Sequence, residues 1–318
     1  MNWGFIGYGR IAQKFMDALK GVESETPYAI ASRSNATELS NQFPDLKMYD
    51  SYERLYQDAE VDIVYISTTH NFHRQNVLDA LRHGKHVLSE KPLGLTVAEV
   101  EEMVAEAKGQ KSFLMEGLWS RFLPGYQKAK EIALSGEIGE LRLIKSDFAF
   151  YDVSHKGRLY DPKLAGGSNY DVNIYNLALV HDIFGNAVPE MNIQVNKYET
   201  GTDLSCSSLL SYSGNRRAQI FSSIELQCEN SAWIYGTKGW LKMEEFWKCQ
   251  RFHLHTENED QIIELPFVGN GYFHEIVEAV ECVKRGEIES KLMSHQHSLE
   301  LARLLEQTER LIENYEGK

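Results

Sequence analysis

The run Trp3-Gly4-Phe5-Ile6-Gly7-Tyr8-Gly9-Arg10-Ile11-Ala12 decides the fold. Residues 3–6 read as a buried strand, the pattern Gly7-x-Gly9-x-x-Ala12 follows at once, and residues 10–19 continue with helical periodicity. The first glycine permits a tight turn, and the second lets a diphosphate approach the backbone. The small Ala12 lets helix and strand pack closely. An anion would sit at the helix N-terminus, where N–H groups and the helix dipole favour negative charge. Alone the pattern is weak; placed here, at the head of a β-α-β rhythm, it predicts a dinucleotide-binding unit.

That rhythm continues outward. Residues 28–32, 47–49, 62–67, 86–89 and 112–116 read as short apolar strands, separated by helical patterns at 35–43 and 72–83. A further helix starts at Thr96, with Glu99 three residues on in capping-box spacing, and Gly84 suits a helix C-cap. Strands that are apolar throughout and alternate with helices indicate a parallel sheet covered on both faces. After Trp119 the pattern changes. A helix at 126–135, a strand at 141–151 and a helix at 171–184 lead into residues 192–264, where strand-like stretches such as 205–212 and 218–227 follow one another without helices. That region reads as an antiparallel sheet. Helices at 272–285 and 294–315 finish the chain. The expected class is α/β: a Rossmann doubly wound parallel sheet over residues 1–118, then an α+β domain over 119–318 with a large, mostly antiparallel open sheet.

Composition narrows the function classes. The 318 residues are 42% hydrophobic and 25% charged, as in globular proteins, and no apolar run approaches the ~20 residues that cross a bilayer. The start has no basic segment, so neither a signal peptide nor a membrane partner is expected. Cys206, Cys228, Cys249 and Cys282 are widely spaced, which argues against a metal or disulfide framework and suits a cytoplasmic location. A formal charge of −13 would repel nucleic acid.

The end of the second strand bears on which dinucleotide binds. Sites for NAD(H) usually place Asp or Glu there to bind the ribose 2′-hydroxyl; this chain has Ser32-Arg33-Ser34. An Arg flanked by two hydroxyls suits a 2′-phosphate, so NADP(H) is expected, with NAD(H) possible.

Beyond the glycine turn, Glu90-Lys91-Pro92 and Gly166-Gly167-x-x-x-Asp171-x-x-x-Tyr175 occur in an order and spacing that resemble the Gfo/Idh/MocA oxidoreductases over nearly the whole chain. Glu116-Gly117-Leu118-Trp119-Ser120-Arg121-Phe122 is similar to the branch containing dimeric dihydrodiol dehydrogenases and glucose-fructose oxidoreductases. The resemblance implies hydride transfer with a sugar, cyclitol or diol-like substrate, and a homodimer or homotetramer paired through the C-terminal sheet. It implies cofactor contacts from Gly7, Tyr8, Gly9, Arg10, Ile11, Ala12, Ser32, Arg33, Ser67, His70, Glu90, Lys91, Trp119 and Arg121. Substrate contacts are implied for Lys91, Trp119, Asn169, Asp171 and Tyr175, with no metal.

The chemistry asks for such groups independently. When hydride leaves an alcohol carbon, the hydroxyl proton must leave too. Lys91 follows a strand at its C-terminal end, where ligands bind in open α/β sheets, and can stabilise charge on the substrate oxygen. Tyr175 is the expected proton carrier. A tyrosine of pKa ~10 working near neutrality needs roughly 4 kcal/mol of help, which an ammonium ~4 Å away can supply at an effective dielectric of ~20. Asp171, four residues earlier, would share the helix face and orient Lys91 or accept from a substrate hydroxyl. Asn173 and Asn176 add polar groups, which the reading places near the pocket. His70-x-x-His73 lacks a third metal ligand, and His181 reads as a supporting residue. Two alternatives stay open: a dinucleotide-sensing regulator without catalysis, and a reductase of a non-sugar carbonyl or biliverdin-like substrate.

Overall fold

The computed structural model describes residues 1–316 and divides into two compact units. The first comprises Met1–Trp119 and Val268–Leu299; the second comprises Ser120–Phe267 and Glu300–Lys318. Compactness thus divides the chain differently from the single boundary expected at residue 118, because a C-terminal segment returns to the first unit.

In the first unit, strands β1 (Asn2–Ile6), β2 (Thr26–Ala31), β3 (Lys47–Tyr49), β4 (Ile63–Ile66), β5 (His86–Glu90) and β6 (Leu114–Gly117) alternate with helices α1 (Arg10–Leu19), α2 (Ala36–Gln42), α3 (Tyr52–Tyr56), α4 (His73–Arg82) and α5 (Val97–Gln110). All pairings are parallel, in the order β3-β2-β1-β4-β5-β6. The order reverses between β1 and β4, the switch point where open α/β sheets bind ligands. Tyr65, Phe5, Trp3 and Phe15 fill the core, and the Phe15 and Tyr65 rings stack at 3.7 Å. Thr96 caps α5 by accepting from the Glu99 N–H at 3.2 Å. The returning helix α8 (Phe273–Lys284) places the Tyr272 ring 6.1 Å from that of Phe15.

In the second unit, α6 (Pro124–Ser135) precedes β7 (Leu141–Ala149), and α7 (Ile174–Phe184) precedes β8 (Glu190–Lys197). Strands β9 (Asp203–Tyr212), β10 (Arg216–Ser223), β11 (Ala232–Gly236), β12 (Gly239–Met243), β13 (Arg251–Thr256) and β14 (Asp260–Glu264) follow, and α9 (His295–Glu313) begins in the first unit and ends in the second. The sheet runs β14-β13-β12-β11-β7-β10-β9-β8, antiparallel except for the parallel pair β7 and β10. Its inner face packs under α7, whose residues are all buried. Its outer face carries Lys145, Leu209, Gln219, Trp233 and Tyr235, and the Trp233 and Tyr235 rings stack at 5.6 Å.

Most expected elements are present within two residues of their ends. The helix expected over 171–184 differs: it opens as a π-helical turn, Asn169–Asn173, and becomes α-helical only at Ile174. Such turns are rare and occur frequently at functional sites. No helix among the described residues is long and apolar enough to cross a membrane.

Candidate functional site

The first unit brings Gly7, Gly9, Ser32, Arg33, Ser67 and Lys91 to the ends of β1, β2, β4 and β5. Gly7 has φ +78°, and a Cβ there would lie 2.6 Å from the Thr68 backbone nitrogen, so only glycine fits. Ser67 closes the same turn by donating to the Gly7 carbonyl at 3.0 Å. A Cβ at Gly9 would meet nothing nearer than 3.9 Å, leaving the backbone open to approach. No side chain caps α1, and its first turn has no acidic residue to compete with an anion. Ala12 is fully buried against the sheet. Arg10 is exposed and Ile11 half-buried beside it. Tyr8 packs edge-on against Phe43 at 5.4 Å, and burial, aided by Asp17, pushes its phenol up to about 12.

At the end of β2, Arg33 is exposed and its guanidinium lies over the rings of Tyr52 (4.8 Å) and Phe72 (5.6 Å). Stacking holds a planar guanidinium while leaving its edge available for a phosphate. Asp50, Glu53 and Asp79 line the same recess but are engaged by Arg54, Gln57 and Gln75. Ser32 is buried and donates to Asn35, with Ser34 donating to the same oxygen at 3.2 Å.

Lys91 stands on a turn braced from three sides. Tyr65 of β4 donates to Glu90 at 2.5 Å, the Leu93 N–H donates to Glu116 of β6 at 2.9 Å, and His73 of α4 places Nδ1 2.7 Å from the Pro92 carbonyl. The Lys91–Pro92 peptide is cis. His73 is therefore a strut, completely buried, with His70 packed edge-on at 5.7 Å. Trp119 stacks on Tyr272 at 5.1 Å. Glu275 of α8 was not anticipated. It is fully buried, neither oxygen has a hydrogen-bond partner among the described residues, and burial together with the Glu90 charge raises its carboxyl well above the carboxylate range.

The second unit carries the other chemical residues on the π-turn and α7. Asp171 is largely buried and pairs with Arg158 at 2.7 Å. Tyr175 is 8% exposed and meets the edge of Phe148 at 5.2 Å, while Phe148 stacks on Trp247 at 4.9 Å. Some expectations change here. Asn169, expected to touch substrate, is completely buried, and its amide donates to Glu309 (2.8 Å) and the Leu305 carbonyl (3.3 Å); it supports the turn. Asn173 and Asn176 face the interior too, donating to Asn169 at 3.2 Å and to the Phe221 carbonyl at 3.0 Å. Arg121, expected at the cofactor, is 1% exposed and holds Asp182 through two nitrogens at 2.9 and 3.0 Å. Arg121 also lies 3.2 Å from His181 Nδ1; because a guanidinium only donates, the histidine proton sits on Nε2 and goes to Glu300 at 2.7 Å. Burial and then Arg121 lower the His181 pKa, so it is a neutral structural imidazole.

A glycine-turn Rossmann unit joined to an open, mostly antiparallel sheet defines a nicotinamide-dinucleotide oxidoreductase class. The oxidoreductase family model with an NAD-binding Rossmann fold matches residues 1–118, and the GFO/IDH/MocA C-terminal domain model matches residues 126–242. The trans-1,2-dihydrobenzene-1,2-diol dehydrogenase of Mus musculus is 35% identical over 325 residues, spanning 98% of this chain and 97% of that protein. Among solved structures, an aldose-aldose oxidoreductase from Caulobacter crescentus complexed with glycerol superposes with a TM-score of 0.88 at 24% identity, covering 98% and 96% of the two chains. A 3-ketoreductase from Actinomadura kijaniata in complex with NADP and TDP-benzene superposes at 0.85 with 23% identity, covering 96% and 95%. The chain belongs to the Gfo/Idh/MocA oxidoreductase family, as its motifs led us to expect, and is an NAD(P)-binding member of it.

Proposed function

We propose that this protein is an NADP(H)-preferring dehydrogenase or reductase of a diol, cyclitol or sugar, in which Lys91, Tyr175 and Asp171 carry the chemistry. The observation that carries the reading is the braced Lys91 turn, held by Tyr65, His73 and Glu116. Three supports on one lysine-bearing turn are what a preorganised charge needs and what a surface lysine lacks. Bound NADP(H) would supply or accept the hydride. The Lys91 ammonium holds the substrate oxygen and stabilises negative charge developing there, Tyr175 exchanges its proton, and Asp171 orients the neighbouring hydroxyl. Lys91 and Trp119 line the nicotinamide side. A vicinal diol suits one anchored oxygen beside a second held by a carboxylate, in keeping with the diol named for the mouse relative.

The preference for NADP(H) rests on Arg33, stacked with its edge available and no carboxylate in the Ser32-Arg33-Ser34 turn. Fluorescence or calorimetric titration with NADPH and NADH tests it. The wild type binds NADPH at least about tenfold more tightly, and Arg33→Asp reverses the order, since one charge-assisted phosphate contact amounts to about 1.5–3 kcal/mol. Equal affinity for both in the wild type contradicts the assignment. We further propose a cytoplasmic homodimer or homotetramer paired through the outer face of the eight-stranded sheet.

A further inference from the structure

We propose that Asp203 is a positioning residue for the reaction: its carboxylate grips the start of the helical segment that carries Asp171 and Tyr175 and holds both in register. The inference rests on the roles proposed above for those two residues. Asp203 opens β9 and is 2% exposed. Its Oδ2 accepts from the Ser168 hydroxyl at 2.6 Å and from the Asn169 backbone N–H at 2.8 Å, and Ser168 lies 3.0 Å from Ser222 of β10. Gly167 has φ +103°, and a Cβ there would lie 1.9 Å from Asp203 Oδ1. The paired glycine therefore lets the carboxylate reach the backbone. From the other side, Glu309 of α9 accepts from the Asn169 amide at 2.8 Å. Two acids from distant elements hold Asn169, at the start of the turn, two residues before Asp171.

The grip is strongest when Asp203 is an anion. The first N–H groups of a helix need acceptors, and a charged acceptor is roughly twice as strong as a neutral one. The groups around it are Glu309 on α9, with Glu313 and Lys197 beyond, Cys206 on its own strand, and the Ser168 and Ser222 hydroxyls. Burial raises the Asp203 carboxyl, the Ser168 hydrogen bond opposes the rise and the Glu309 charge adds to it, leaving it at about 7. As pH falls through that value the grip is discharged and turnover drops. Stability runs the other way. The folded-state pKa lies above the unfolded value of ~3.9, so this group's contribution is greatest at acid pH and is lost as pH rises toward about 7. Turnover and stability with opposed pH trends distinguish an anionic clamp from a passive contact.

The test compares pH profiles of kcat/KM, using NADP+ and a trans-diol, with thermal midpoints over the same range for wild type, Asp203→Asn and Glu309→Gln. The wild type loses turnover on the acid side of about pH 7. Glu309→Gln moves that limb to lower pH because a neighbouring charge is gone. Asp203→Asn abolishes the limb and lowers kcat by about ten- to a hundredfold through misplacement, with NADPH affinity kept within about twofold. A limb unmoved in both variants overturns the inference, as does loss of NADPH affinity in step with kcat. If Asp203→Asn does not fold, the shift in Glu309→Gln decides. Absence of turnover by the wild type with every diol and sugar refutes the functional reading instead. In that case a midpoint difference between wild type and Glu309→Gln that is flat in pH still overturns the clamp.

Discussion

Gly167 and Asp203 show how tightly single residues are specified. A side chain at Gly167 would clash with the Asp203 carboxylate and strain a backbone at φ +103°. Gly167→Ala is expected to destabilise the protein by more than ~3 kcal/mol, read as a lower midpoint in urea denaturation; a loss below ~1 kcal/mol would show that the loop relaxes freely. The glycine was legible in the sequence, as was Gly7, because each sits in a local motif whose spacing carries its meaning. Asp203 and Glu275 were not legible. Their partners lie far along the chain, Asp203 being 34 positions from Asn169, and no local pattern marks a carboxyl that folding will bury. The Asp182 partner of Arg121 was not legible for the same reason, lying 61 positions away.

At the scale of the element, α7 combines an apolar helix with a polar anchor. Asp182 on α7 accepts from Arg121, from Tyr126 at 2.8 Å and from Lys130 at 2.8 Å, tying α6 to α7. Burial alone would raise its carboxyl, but Arg121 and Lys130 together hold it below the usual range. The folded-state pKa being depressed, this contribution is present above the unfolded value of ~3.9 and is lost as pH falls through the folded value. Asp182→Ala leaves the buried guanidinium without its carboxylate partner and is expected to reduce unfolding free energy at neutral pH by about 3–5 kcal/mol, a deficit that narrows in acid. A deficit that is constant with pH would contradict the assignment. The element itself was legible except for its opening. The sequence reading placed a helix over 171–184, but a π-turn adds one residue per turn without changing composition, so residues 169–173 carried no sign of it.

At the scale of the whole molecule, the alternation of apolar strands and helices made the parallel sheet legible, and the helix-free run from 192 to 264 did the same for the second sheet. The order of the eight strands was not legible. β7 pairs with β10 in parallel and with β11 in antiparallel, across separations that loop lengths do not encode. Nor did any composition shift mark the return of Val268–Leu299 to the first unit. The outer sheet face has a consequence at this scale. Leu209 is 42% exposed beside Gln219 and Lys145. If subunits pair through this face, Leu209→Arg buries an unpaired charge and shifts the protein toward monomer in light scattering at micromolar concentration, with its thermal midpoint little changed. An unchanged mass would exclude this face as the interface.

The most direct test of the central claim is the appearance of reduced nicotinamide on mixing the protein with NADP+ and a panel of trans-diols, cyclitols and aldoses, for wild type, Lys91→Met and Tyr175→Phe. The account predicts turnover of at least one vicinal diol or sugar. Each variant should lower kcat by about 10²–10³-fold, as expected when one transition-state contact is lost, while NADPH binding is retained. No turnover across the panel, or turnover that survives both substitutions, would contradict it.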